Sequence, residues 1–507
     1  MLRRLLFLTL AVAALPGARQ ADPAPQNWYV IADDAGAVLG HASTASRTLP
    51  DGHETIERRE LRLADGERPA TTLTDTTTTR FDASGRPRLI VTESRDGRTI
   101  RRLETRIAAT SATVTRQSES GRHVTRIALP PGTRFDNGEG LMRGWTGDAP
   151  LGFLNLNPAA GLVERMTIER APTQRPGTLT VLRKRYEGTE LRGIMRLDLD
   201  ASGRIVAAIQ PMFGVAVTTR PANRDTALRP HPPYRLLRNV MAKSPVRIGP
   251  AAAQGHIRYR FGFVDGIAFA PPATGEQRVS ADATGVTLDI CTTCGPGLPD
   301  DPATLADARR ATAWLQHDHP RVTALARPVI RRQLSPARTM QELAVRARTV
   351  MQRIDFTGHR SAADALAHGA GDCTEDAVVL AALGRAAGIP TRVASGLVYS
   401  RERYHGVSNV FMPHSWTLAY VDGAWRSFDM SLDGFDATHI ALTIGDGDAR
   451  SITAAGQLAS LLDWQSLAEV RTRASPWPAA ARRHRPPAVR AGSHRPGPRP
   501  SPPPWDP

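Results

Sequence analysis

Only three of the 507 residues are cysteine, and only two, Lys184 and Lys243, are lysine. Three cysteines are too few for a disulfide-built scaffold. With one C-x-x-C and no second Cys or His pair at finger spacing, no metal centre is expected. The scarcity of lysine makes the basic excess, 65 Lys plus Arg against 49 Asp plus Glu, almost wholly arginine. Half of the net +16 lies at the two ends of the chain, in 1–21 and 475–507. That is a compositional bias rather than a phosphate-tracking stripe, and no nucleic-acid partner is expected. Beyond the leader no apolar run is long enough to span a bilayer, so no transmembrane segment is expected after its removal. A hydrophobic share of 41% with 22% charged residues excludes wholesale disorder, and the length predicts roughly three domains.

What is present begins with a leader. Arg3 and Arg4 precede an apolar run over 5–15 and then small residues, the pattern of a secretory signal peptide over 1–21. The mature protein is accordingly expected to be periplasmic or secreted, in an oxidising space. Cys291 and Cys294 fit that compartment. The Gly-Pro-Gly that follows them is a turn rather than the βαβ context of a redox dithiol, so they are expected to form a structural disulfide. Cys373 is then the odd thiol. At the other end, 475–507 holds eleven prolines and is expected to be a disordered tail.

The fold class expected is α+β. Over 22–246, alternating Thr, Val, Ile and Arg predict a β-rich region, with strands at 55–63, 89–93, 99–108 and 111–117. Asp-Gly pairs at 51–52, 65–66 and 96–97 are expected as type I′ hairpin turns. The pentapeptide Asp-Ala-Ser-Gly-Arg occurs at 82–86 and again at 200–204, which reads as a recurring turn rather than a duplicated unit. The Pro- and Arg-rich 221–250 reads as a connector, and 247–299 as a small β segment carrying the C-x-x-C. In 300–474 the composition turns helical. Asp301-Pro302 and Ser335-Pro336 each set an N-cap before a proline at the first helical position. The second of these helices has an expected apolar face of Met340, Leu343, Val345, Val350 and Ile354.

The informative stretch is Gly371-Asp372-Cys373-Thr374-Glu375-Asp376-Ala377. Asp372 and Glu375 have capping-box spacing, which puts Cys373 in the first turn of a helix that is apolar nearly all round. The helix dipole favours a thiolate there, but Asp372, Glu375 and Asp376 oppose it, so a base is needed. The segment 413–429 supplies one. Pro413-His414-Ser415-Trp416 leads into a strand, 417–421, that turns at Asp422-Gly423 into a second strand, 424–428, ended by Asp429. With a two-residue turn, Tyr420 pairs with Trp425, and Asp429 becomes a same-face diagonal neighbour of His414. A helix-start cysteine with a histidine and an aspartate on adjacent strands is the layout of a thiol acyl-transfer triad. His405, His439 and His368 are rival bases, and Asp422 and Asp433 rival carboxylates, but none has the same strand–turn–strand setting. Trp416 and Trp425 are expected in the core. Asp446 and Asp448 suggest a calcium loop only weakly, for lack of a distal Glu.

Together, G-D-C-T-E-D-A, A-A-G-I-P-T-R, H-S-W and A-W-R-S-F-D resemble the core of the transglutaminase-like (papain-like) cysteine enzymes, over about 305–443. The resemblance implies a papain-like core with a catalytic helix on an antiparallel sheet. It also implies Cys373 as nucleophile, His414 as general base and acid, and Asp429 as orienter of the imidazole, with no cofactor. The implied reaction forms a thioester from an amide. Water then completes a cysteine peptidase or amidase, and an amine a transglutaminase; a binding or scaffold protein with a vestigial triad is the third reading. The implied partner is a peptide or protein substrate, of the cell envelope if the leader directs the chain there. The Cys373 backbone N–H is an oxyanion donor, but the tryptophan donor of animal transglutaminases has no obvious counterpart, since the nearest upstream tryptophan, Trp314, lies far from Cys373 in the sequence.

Overall fold

The computed structural model describes residues 25–470 apart from 65–69, 97–98, 174, 213, 355–358, 403 and 433. The expected leader and tail, the turn at 65–66, Gly97 and Asp433 lie outside the described residues. The alternating segments of the N-terminal region build one antiparallel sheet of fourteen strands. It consists of two meanders. One runs from Asn27–Ala32 to Gly121–Ala128, the other from Leu151–Asn157 to Val215–Ala222. Their seam is the pairing of Asn27–Ala32 with Val215–Ala222, Val30 lying opposite Arg220.

The two Asp-Ala-Ser-Gly-Arg segments fold identically as turns between strands. Asp82 Oδ1 accepts from the backbone N–H of Ser84 and Arg86, both at 3.0 Å. Asp200 Oδ1 accepts from Ser202 and Arg204 at 2.9 and 3.0 Å. Gly85 and Gly203 take φ of 77° and 78°, a conformation that glycine adopts without steric cost. The turn expected at Asp51-Gly52 is placed differently. Leu49 pairs with Gly52, so Pro50 and Asp51 are its central residues. A type I′ turn needs positive φ at both, and the proline ring forbids it at Pro50.

The expected connector 221–250 is not a bare linker. It holds short helices at Arg224–Ala227 and Leu236–Asn239, and its Ala242–Lys243 pairs with Val410–Val421. The small β segment is likewise incomplete alone. Its strand Ile257–Phe263 pairs with Gly285–Ile290 on one side and with Leu462–Glu469, from the far end of the chain, on the other. Cys291 and Cys294 form the expected disulfide.

Both predicted N-caps are made. Asp301 accepts from Ala303 and Thr304 at the head of Pro302–Asp307, and Ser335 accepts from Arg338 at the head of Pro336–Arg348. The apolar face of the second helix departs from expectation. Met340 and Leu343 are buried with Ala344 and Ala347, whereas Val345 is 53% exposed. Val350 and Ile354 lie beyond the helix end at Arg348. Small alanines face the core because the helix Cys373–Ala386 packs close against it.

That helix, buried from Glu375 to Arg385, rests on the sheet ordered Ala242–Lys243, Val410–Val421, Thr391–Ser400, Ile440–Gly445, with Ala424–Phe428 hairpinned onto Val410–Val421. Trp416 and Trp425 are core residues, as expected. The helix Ala449–Ala459 ties this part to the fourteen-stranded sheet. Gln457 Oε1 accepts from Ile194 N at 3.1 Å, and Ala455 and Leu458 share a core with Leu182 and Ile194. The boundary expected at 246 therefore does not separate two independent cores.

Candidate active site

The cysteine is placed by its helix cap. Asp372 accepts from Thr374 N at 2.8 Å, and Glu375 returns a carboxylate oxygen to Asp372 N at 3.1 Å. This is the predicted capping box. The other Glu375 oxygen accepts from Arg360 N at 3.0 Å. Glu375 approaches so closely that a Cβ on Gly371 would stand 2.4 Å from its own Cβ, so glycine is required there. Cys373 occupies the first helical position.

The histidine is placed by the hairpin. Asp422 and Gly423 form the two-residue turn with φ of 52° and 77°, Tyr420 pairs with Trp425, and Thr417 with Phe428. Asp429 then falls beside His414 as the register predicts, with His414 Nε2 2.6 Å from Asp429 Oδ2. The strand is held further upstream by Glu276, a buried carboxylate that accepts from Ser427 N and Oγ at 2.8 and 3.0 Å. Asp429 is fully used. Its Oδ1 accepts from Ser431 N and Leu432 N at 2.7 and 3.1 Å, leaving Oδ2 to two imidazoles.

The second imidazole is His439. Its Nε2 lies 3.1 Å from Asp429 Oδ2, and its Nδ1 lies 3.1 Å from Asp436 Oδ1. His439 is therefore not a rival base but a second partner of the same carboxylate. Burial alone would lower its pKa, but the hydrogen bonds to Asp429 and Asp436 prevail and push it up to about 9. Asp429 is buried too, which alone would raise it, yet the charges and hydrogen bonds of His414 and His439 hold it far below the carboxylate range. The three ligand atoms of His414, Asp429 and His439 lie within 4.8 Å of one another, the composition of a metal site. At 2.6 Å, however, His414 and Asp429 are closer than two donors on one tetrahedral ion, which stand roughly 3.3 Å apart. The set is a proton-sharing array.

With Nε2–H donated to Asp429, His414 presents Nδ1 as the unprotonated nitrogen. This atom is buried and has no hydrogen-bond partner. Cys373 and His414 line one cavity of about 320 Å³. Burial and the adjacent Asp372 push the Cys373 thiol well up, with Asp429 and Asp376 adding to the effect and the Ser415 N–H only partly offsetting it. Asp376 is itself pushed up to about 6 by burial, against a hydrogen bond from Ser431. The helix dipole does not prevail over these influences: the thiol rests protonated and ionises by giving its proton away.

His368 ends the helix Ala362–His368, His405 sits in the turn at Tyr404–Val407, and neither lines the cavity. Asp446 accepts from Arg385 and Arg392, each at 2.6 Å, and Asp448 caps Ala449–Ala459. Both acids suggested as a calcium loop are thus committed within the protein. Sequence reasoning missed His359, which lines the cavity and packs at a tilt against Trp314 with ring centroids 4.3 Å apart. That contact places Trp314 beside the lining of the site. Burial holds His359 down to about 4, so it is neutral at physiological pH.

The His439 array has a pH signature. A folded pKa near 9, above the unfolded 6.5, gives stabilisation that is fully present below pH 6.5 and lost as pH rises through 9, on the order of 3 kcal/mol. Wild-type thermal stability is expected to fall across that window and His439→Gln to flatten the fall. Parallel melting curves from pH 6 to 10 would refute the assignment.

Residues 323–430 match the family model of the transglutaminase-like superfamily. Cys373, His414 and Asp429 lie inside that segment; His359 does too, while His439 lies outside. No curated protein matches the chain. Similar solved structures include a candidate cysteine protease from Cytophaga hutchinsonii, at 15% identity over 45% of this chain and 90% of its own, with a TM-score of 0.27. A β-barrel-like protein with a domain of unknown function from Brucella abortus aligns at 13% identity over 40% and 98%, TM-score 0.31. A candidate protease from Parabacteroides distasonis aligns at 12% over 82% and 72%, TM-score 0.19.

Proposed function

Residues 323–430 are transglutaminase-like, and from that premise we propose that the protein is a thiol acyl-transfer enzyme with a papain-like core, acting as a cysteine peptidase or amidase. Cys373 is the nucleophile, His414 the general base and then acid, and Asp429 the orienter. The observation that carries this reading is the vacant Nδ1 of His414, buried beside the cavity it shares with Cys373 while Nε2 is tied to Asp429.

His414 Nδ1 takes the thiol proton as sulfur attacks the amide carbonyl, and the carbonyl electrons move onto oxygen. The Cys373 backbone N–H, at a helix start where no intrahelical acceptor exists, stabilises that oxyanion. When the oxyanion collapses, the C–N bond breaks and the imidazolium gives its proton to the leaving nitrogen. A thioester and an amine remain. Water, deprotonated by the same imidazole, then releases the acid and the thiol. An oxidising, periplasmic or secreted setting fits the Cys291–Cys294 disulfide, and a peptide or protein of the cell envelope would be a substrate available there.

The test is intact-mass labelling of the folded, non-reduced protein with iodoacetamide at about pH 7.5. One adduct is expected, lost in Cys373→Ala and slowed in His414→Ala. Labelling that appears only on unfolding would sink the proposal in favour of a scaffold. Where the thiol is active, acid release against incorporation of a primary amine from a model amide separates hydrolysis from transamidation.

A further inference from the structure

One wall of the Cys373 cavity comes from outside the transglutaminase-like segment. Met212, at the end of the strand Ile205–Met212 in the fourteen-stranded sheet, lines it together with Leu236 and Val240 of the former connector. Ile452 and Ala455 of the helix Ala449–Ala459 complete that side. The wall is held in place: Ser460 Oγ accepts from Gly214 N at 2.8 Å, just beyond Met212, and Val240 and Ala455 are buried. Apart from Cys373, His414 and the helix-capping Asp372, the ionisable group of the lining is the neutral His359.

Three of the four lining hydroxyls are engaged elsewhere, the fourth being that of Thr374 at the helix start. Thr453 Oγ1 donates to Ala449 O at 2.8 Å, and the Ser395 and Ser415 hydroxyls bond each other at 2.9 Å. A charged or carboxamide side chain entering here would lose water and meet, beside the catalytic groups, only the Thr374 hydroxyl and the His359 ring as partners, whereas a hydrocarbon would gain from burial. A volume of about 320 Å³ lies at the low end of small-molecule sites, roughly 300–1,000 Å³, enough for one or two side chains.

We propose that the β-rich N-terminal region is the specificity wall of this site, and that the acyl donor presented to Cys373 carries an aliphatic, uncharged side chain against Met212, Leu236, Val240 and Ile452. The proposal rests on the acyl-transfer reading and narrows it: the preferred acyl group is an apolar residue and not glutamine.

The test uses acetyl-aminoacyl chloromethyl ketones of leucine, glutamine, glutamate and lysine on the full chain. Each rate of Cys373 alkylation is divided by the iodoacetamide rate of the same protein. The leucine reagent is expected to react roughly tenfold or more faster than the other three. Ile452→Asp is expected to reverse the order of leucine and lysine. Met212→Trp, which fills the space without charge, is expected to slow the leucine reagent by a similar factor while sparing an alanine reagent. Rates for leucine, glutamine and glutamate within threefold of one another would overturn the wall, as would insensitivity to both substitutions. Failure of iodoacetamide itself on the folded wild type would instead overturn the acyl-transfer reading, and the wall with it.

Discussion

Replacing His414 with alanine is expected to slow acylation of Cys373 by an activated ester such as p-nitrophenyl acetate roughly 10²–10⁴-fold. The size of the effect follows from the thiol's surroundings. Burial and Asp372 hold it protonated, so without the vacant Nδ1 no group in the site takes the proton at neutral pH. The pH dependence has a definite sign. In His414→Ala, solvent must deprotonate the thiol, so the burst rate should climb about tenfold per pH unit until the raised thiol pKa is reached. Cys373→Ala should give no burst at any pH. A burst of wild-type size in His414→Ala at pH 7 would remove His414 from the mechanism.

The largest stability loss is expected at Arg385. Its guanidinium is fully buried and donates to Arg310 O at 2.5 Å, Thr391 O at 2.7 Å and Asp446 Oδ1 at 2.6 Å. It thereby joins the end of the cysteine helix to the start of the strand Thr391–Ser400. Arg385→Met leaves the buried Thr391 carbonyl and that of Arg310 without this donor and Asp446 with Arg392 alone, at an expected cost of about 3–5 kcal/mol. Urea unfolding would read it, and Arg385→Met with Asp446→Asn should recover part of the loss. A cost below about 1 kcal/mol would mean that the cluster is strained or wet.

The parts of the site legible in the sequence are those fixed by close neighbours along the chain. The Asp372–Glu375 box and the Asp422-Gly423 turn are each set by short-range bonds, and together they put Cys373, His414 and Asp429 in place. The parts that were not legible are set by distant chain. Nothing local to Met212 indicates that it would reach a cysteine so much further along the sequence. The role of His439 depends on which oxygen of Asp429 the Ser431 and Leu432 amides leave open. Val345 misled for a different reason: a helix packed close to another selects small residues, so alanine rather than valine marks its buried face. Around Pro50 the Asp-Gly rule falls one position out of place, and the proline itself carries the correction.

The seam of the fourteen-stranded sheet bears on the order of assembly. Asn27–Ala32 has the neighbouring Val38–Leu49 as one partner at once, but its other partner, Val215–Ala222, is the last strand of the second meander. Each meander can zip from hairpin to hairpin, whereas joining them closes the longest loop in the sheet, the kind of contact that limits folding rates. During synthesis the first strand therefore keeps one edge exposed until almost half the chain has been made. The strand carrying Met212 pairs locally with Val215–Ala222 and is made long before Cys373, so the apolar wall beside the cysteine is expected to close only when the later helix Ala449–Ala459 brings Ile452 against it.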